Sequence, residues 1–79
     1  MADIDLLRER MVSSGMTVTS IAKRAGMLRE TLYNRLDPNA DFKASEIAAL
    51  TRVLKLSKSD RDRIFFPHKG ELNSQKENL

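Results

Sequence analysis

The chain has 79 residues, which corresponds to one small domain without room for a second, ligand-sensing domain. It contains no cysteine and a single histidine, His68, so cysteine-based metal sites, multi-histidine metal sites and disulfides are excluded. No apolar run approaches the roughly 18 residues that cross a bilayer, and the acidic N-terminus does not resemble a signal peptide. We therefore expect a cytoplasmic protein with no membrane association, no cofactor and no small-molecule effector.

The positive charge is concentrated in one part of the sequence. The net charge of the whole chain is +3, and residues 17–36, with four basic residues and one acid, account for that excess. A local basic face on an otherwise balanced chain favours a polyanionic partner. A solvated helical surface has the same composition, so charge alone does not decide between the two.

Apolar residues recur at helical spacing along most of the chain, and strand and hairpin signals are absent, which predicts an all-α domain. The first helix is predicted over residues 3–14, with Asp3 as its N-cap and Gly15 at its left-handed end. The second is predicted over residues 18–24, with Thr17 as its N-cap.

Three further helices are predicted over residues 28–36, 44–54 and 58–65. The second of these follows a strong helix breaker centred on Pro38, and Pro67 stops the third. Beyond that point polar residues dominate, so the sequence predicts an ordered domain over residues 1–66 and a disordered tail over residues 67–79.

Residues 17–36 combine two short helices with a glycine-containing turn, the layout of a helix-turn-helix. Ala22 is small enough to stand where the two helices cross, Gly26 tolerates a positive φ in the turn, and Met27 is placed to anchor the turn from inside. At 100° per residue, Leu32 and Leu36 of the second helix of the pair face the core.

The opposite side of that helix carries polar residues. Glu30 and Asn34 point directly away from the core, and Tyr33 borders their face. Arg29 and Arg35 flank the core. Arg29, however, lies at the helix N-terminus, the end that enters a DNA groove first, so it can reach base edges from there.

Residues 16–66 resemble the phage Cro and repressor helix-turn-helix family, also called the XRE family. The residues that carry the resemblance are Met16-Thr17, Ile21-Ala22, Ala25-Gly26-Met27 and Thr31-Leu32, followed by the stretch EIAALTRVLKLSKSDRDRIFF. The resemblance implies a lambda-repressor-like fold of five helices in which the second and third helices read DNA. It covers about two thirds of the chain and suggests a small phage-encoded regulator.

The resemblance also implies roles for individual residues. The base-reading positions, together with the neighbouring tyrosine, are Arg29, Glu30, Tyr33 and Asn34. The positions suited to contact the DNA backbone are Thr17, Lys23, Arg35, Asn39 and Lys43. Two positions depart from the family pattern: Val18 replaces a frequent glutamine, and Leu28 replaces the serine or threonine that usually caps the reading helix.

The sequence leaves two classes of function open and offers no catalytic set, so we do not expect an enzyme. The first class is a Cro-like repressor that binds double-stranded operator DNA as a homodimer. The second is an antirepressor or co-repressor that uses the same fold to bind a repressor protein. Leu28 and Phe66 favour the second, because each is an apolar residue at an expected surface position and thus a possible partner or dimer contact.

Overall fold

The computed structural model describes residues 2–67, which form five α-helices and no strand. This confirms the predicted all-α fold. The helices, in chain order, are α1 (Ile4–Ser13), α2 (Val18–Arg24), α3 (Arg29–Arg35), α4 (Ala44–Val53) and α5 (Lys58–Phe65). None of these helices is both long enough and apolar enough to cross a membrane.

The helix limits follow from local capping. The side chains of Asp3, Thr17 and Ser57 each accept a hydrogen bond from the backbone N–H three residues further on, as N-caps do. At the other ends, Gly15 and Gly26 have φ angles of 74° and 70°, the left-handed conformation that glycine adopts without steric cost. The expected capping roles of Asp3, Thr17 and both glycines are confirmed.

α4 ends without a glycine. Lys55 takes the left-handed conformation there, with a φ of 53°. The N–H of Leu56 then donates to the carbonyl of Thr51 at 2.9 Å, and the N–H of Lys55 donates to the carbonyl of Arg52 at 3.3 Å. This is the Schellman arrangement, which satisfies the last carbonyls of the helix.

One apolar core holds the five helices together. Its members come from every helix, and the largest fully buried side chains are Leu7, Ile21, Leu32, Leu50 and Ile64. α2 packs extensively on α3 and also contacts α4, and α5 packs on α1 and α4. We call α1, α4 and α5 the frame that surrounds the helix pair α2–α3.

The frame is closed at its ends. The N–H of Asp3 donates to the carbonyl of Ile64 at 2.7 Å, which joins the start of α1 to the end of α5. Phe42, just before α4, meets Phe65 edge to face, with ring centroids 5.1 Å apart. This edge-to-face contact stabilises the fold in addition to the burial of apolar area by the two rings.

The predicted helix limits differ from the observed ones by a residue at some ends. Leu28 and Leu36 were predicted inside the third helix and instead cap it, and Ser14 and Leu54 likewise cap α1 and α4. The predicted disorder over residues 67–79 concerns residues that, apart from Pro67, lie outside the described part of the chain.

Candidate nucleic-acid interface

The turn between α2 and α3 begins at a buried small residue. Ala22 is 1% exposed and belongs to the core to which α3 contributes Leu32. In the turn that follows, the N–H of Met27 donates to the carbonyl of Ala22 at 2.9 Å, and Met27 packs against the core as predicted. Gly26, with its φ of 70°, supplies the left-handed conformation in this turn.

α3 has two chemically distinct sides. Leu32 is completely buried, whereas Arg29, Glu30 and Asn34 are exposed and the side chain of Tyr33 is 45% exposed. The helical periodicity correctly turned Leu32 inward and Glu30 and Asn34 outward. It placed Arg29 beside the core, whereas the structure has Arg29 exposed. We call the surface formed by Arg29, Glu30, Tyr33 and Asn34 the α3 outer face.

Two members of the α3 outer face contact each other. The guanidinium carbon of Arg29 lies 4.9 Å from the centre of the Tyr33 ring, a cation–π contact. The sequence analysis placed both residues near the same face but did not predict the pair. The signal was present, since residues four apart on a helix are neighbours.

Thr17 and Lys23 stand at the two ends of α2, Thr17 as its N-cap and Lys23 in its last turn. The Thr17 hydroxyl oxygen accepts from the N–H of Ser20 at 3.1 Å, which leaves the hydroxyl hydrogen able to donate to an outside acceptor. Lys23 is exposed in the last turn of α2. Both side chains can therefore reach an anion without breaking an internal contact.

Arg35 is engaged inside the protein. Its Nε donates to Glu46 Oε1 at 2.9 Å and its Nη2 donates to Glu46 Oε2 at 3.3 Å, a two-point ion pair between α3 and α4. The sequence analysis grouped Arg35 with the DNA-backbone contacts. The ion pair ties α3 to α4 and engages two of the five guanidinium N–H donors, and the Arg35 side chain is 23% exposed. The contact of Arg35 with the DNA backbone stays a prediction.

Glu46 is the one charged residue buried among those described. Burial raises the pKa of its carboxyl, but the hydrogen bonds from Arg35 and from the Lys43 backbone outweigh that effect. The net pKa of Glu46 lies below its ordinary value, and the hydrogen bond to Glu46 together with the charge of its carboxylate raises the pKa of Arg35. Both groups are therefore charged at neutral pH.

The segment between α3 and α4 presents polar groups next to this pair. Lys43 caps α4, and its backbone N–H donates to Glu46 Oε1 at 2.8 Å, which leaves its exposed ammonium group outside. Asn39 is exposed in the loop, where its N–H donates to Asp37 Oδ1 at 2.8 Å. The structure thus places both predicted backbone-contacting residues on the surface.

The far end of α3 is held by a residue that the sequence analysis missed. Arg8 of α1 donates from Nη2 to the carbonyl of Leu36, the C-cap of α3, at 3.3 Å. A cation at this point also opposes the negative end of the helix dipole. No sequence pattern pointed to Arg8, because its partner lies in a different helix.

Two apolar side chains remain at the surface, as the sequence analysis expected. Leu28 is 75% exposed and makes no side-chain capping bond at the start of α3, which confirms that this cap is missing. Phe66, which caps the end of α5, is 37% exposed. Leu28 stands at the start of α3, in the middle of the described chain, and Phe66 stands at the end of α5.

The α3 outer face offers the donor and acceptor groups that distinguish base pairs. An arginine donates twice to guanine, an asparagine pairs with adenine, and a carboxylate accepts from the cytosine amine. Among residues 2–67, no three potential metal ligands lie together.

Comparisons of this chain with protein-family models, with curated proteins and with solved structures found no match. The resemblance of residues 16–66 to the Cro and repressor family accordingly stays a prediction.

Proposed function

We propose that this chain is a cytoplasmic, sequence-specific DNA-binding regulator of the phage Cro and repressor type, and that α3 reads one operator half-site in the major groove. The observation that carries the proposal is the two-sided character of α3. Its inner face is fixed on α2 through Leu32 and Ala22, while its outer face holds side chains suited to base edges. A rigidly held helix with a polar outer face fits the major groove.

Within this proposal the residues divide into base readers and backbone contacts. Arg29 donates to guanine O6 and N7, and Asn34 pairs with adenine N6 and N7. Glu30 accepts from a cytosine amine or orients its neighbours. Tyr33 holds Arg29 in place and borders the same bases.

The proposed backbone contacts come from the segments before and after α3. At the two ends of α2, Thr17 donates its hydroxyl hydrogen to a phosphate, and Lys23 supplies a positive charge. Asn39 and Lys43 contact phosphates from the loop before α4. These contacts set the register of α3 in the groove but carry no base information.

A single α3 contacts few base pairs, so we propose that two copies bind one operator. Half-sites about 10 base pairs apart present the same face of the duplex to both copies. The regulator then acts by occupying the operator, as a Cro-like repressor does. Its activity is controlled through protein level or a partner.

Fluorescence anisotropy with a labelled duplex tests the proposal at about 50 and 200 mM salt. We expect binding to weaken by at least about tenfold over this range. Binding releases cations that are condensed on the phosphates, and a higher salt concentration opposes that release. On a duplex selected from random DNA, Arg29→Ala is expected to lose about tenfold or more in affinity, since one bidentate base contact disappears.

Two further variants separate base reading from charge. Lys23→Ala is expected to weaken binding equally on all sequences and to reduce the salt dependence by about one phosphate contact. Arg63→Ala, which removes the same charge from an exposed position on α5, is the matched control and is expected to bind as the unaltered chain does. No binding at low salt, or equal losses for Arg29→Ala and Arg63→Ala, contradicts the proposal.

A second candidate function is docking on a repressor protein as an antirepressor or co-repressor. The exposure of Leu28 and Phe66 favours it, because apolar side chains at a surface contribute most when a partner covers them. The same titration distinguishes the two functions. A chain that is folded but does not bind DNA at about 50 mM salt supports the second.

A further inference from the structure

Leu28 occupies a position at which a leucine is unfavourable for folding. It is the N-cap of α3, where serine, threonine, asparagine or aspartate would bond to the first free N–H groups, and it makes no such bond. Its side chain is 75% exposed, so it does not contribute to the core either. Among the described residues, only Val12 is a more exposed large hydrophobic residue.

The surroundings of Leu28 are mixed in polarity and carry an excess of positive charge. It borders a groove of about 330 Å³ between the α2–α3 turn and the start of α4. The lining includes the polar Thr31 and Ser45, the basic Lys43 and the apolar Met27, and its one carboxylate, Glu46, is neutralised by Arg35. Arg29 follows it directly in the chain. An exposed leucine in the middle of such a surface is suited to a ligand that is anionic overall but carries a small apolar group.

Double-stranded DNA has that combination of properties. The base edges in the major groove are polar except for the C5-methyl group of thymine, which stands out from the edge of an A·T pair. We infer that Leu28 contacts the C5-methyl group of a thymine next to the base pair that Arg29 reads. This inference rests on the proposed function and adds a preference for one thymine in each half-site.

The test uses a substitution in the DNA that removes only the methyl group. Uracil replaces thymine at one position at a time in a half-site selected from random DNA, and the affinity of the unaltered chain is measured by anisotropy. We expect one position at which uracil weakens binding about fourfold, which corresponds to losing the burial of one methyl-sized apolar group in the complex. Other thymines are expected to tolerate uracil.

Variants of Leu28 assign this effect to the side chain. Leu28→Ala and Leu28→Ser are expected to bind the thymine and uracil duplexes equally well. Leu28→Ser supplies the missing N-cap oxygen, so a loss of thymine preference in this variant does not arise from unfolding of α3. Val12→Ala shortens an aliphatic side chain of comparable exposure on α1 and is expected to keep the preference.

The outcomes separate this inference from the proposed function. Salt-dependent binding that is weakened by uracil in the unaltered chain, but not in either Leu28 variant, supports it. Binding that no uracil weakens, or that uracil weakens equally in the Leu28 variants, overturns the inference and leaves DNA binding intact, with Leu28 then available to a protein partner. A chain that binds no duplex at low salt overturns both.

Discussion

An arginine side chain on an exposed helix surface adopts many rotamers. Restricting it to one rotamer on binding costs conformational entropy. Arg29 is restricted before any ligand arrives, because its guanidinium lies over the Tyr33 ring. Such a contact at an exposed site contributes about 0.5–1 kcal/mol. We therefore regard Tyr33 as a positioning residue for Arg29.

Tyr33→Leu removes the ring and keeps a shorter apolar side chain. We expect it to weaken binding to the selected operator by about two- to fivefold, the equivalent of one exposed cation–π contact. Tyr33→Phe keeps the ring and is expected to bind nearly as well as the unaltered chain. An equal loss in both variants means that the hydroxyl group, not the ring, is the part that matters.

For individual residues, the sequence predicted the direction in which a side chain points better than it predicted which residue the side chain contacts. The 100° rotation per residue correctly turned Leu32 inward and Glu30 and Asn34 outward, because rotation depends only on position along one helix. It placed Arg35 beside the core but did not reveal its carboxylate. Glu46 lies on another helix, and a contact between helices depends on how both are packed.

The two ends of α3 are held differently. At the C-terminal end, Arg35 bonds to Glu46 of α4 and Arg8 of α1 bonds to the Leu36 carbonyl. At the N-terminal end, Leu28 supplies no side-chain bond. The reading helix is thus anchored by charged contacts at the end away from the proposed base contacts of Arg29.

The ion pair between Arg35 and Glu46 makes the stability of the contact between α3 and α4 depend on pH. Because the pKa of folded Glu46 is below its ordinary value of 4.5, the unfolded chain binds more protons in acid. The stabilisation is therefore fully present above pH 4.5 and is lost as the pH falls below it. Glu46→Gln is expected to reduce the free energy of unfolding at pH 7 by about 1–2 kcal/mol and to flatten its decline in acid.

Urea unfolding monitored by circular dichroism at pH 7 and at several values between about 3 and 5 measures both effects. Glu30→Gln changes an exposed carboxylate on α3 and is the matched control, for which we expect the pH profile of the unaltered chain. An unchanged acid decline in Glu46→Gln means that other carboxylates account for it.

The helices themselves were largely predictable, because their signals are local. Thr17, Ser57 and the two left-handed glycines mark ends that short sequence patterns encode. The end of α4 is different, since Lys55 takes a conformation that favours glycine. The bonds of the Schellman turn stabilise it there, and the sequence gives no warning of a left-handed lysine.

For the molecule as a whole, the proposal of two copies on one operator makes the spacing of half-sites measurable. Affinity is expected to be highest with half-site centres about 10 base pairs apart and to fall at least about tenfold at about 15, where the half-sites face opposite sides of the duplex. Anisotropy on a series of duplexes with inserted base pairs measures this. Equal affinity at every spacing means that the copies bind independently.

The hydrogen bond between Asp3 and Ile64 has a topological consequence. It brings the beginning and the end of the five-helix fold side by side, so a short linker from residue 67 to residue 2 would close the chain into a ring without crossing α3. New ends opened in the exposed segment 37–39 would then give a circular permutant in which α4 comes first and α3 last. We expect such a permutant to form the same five-helix packing.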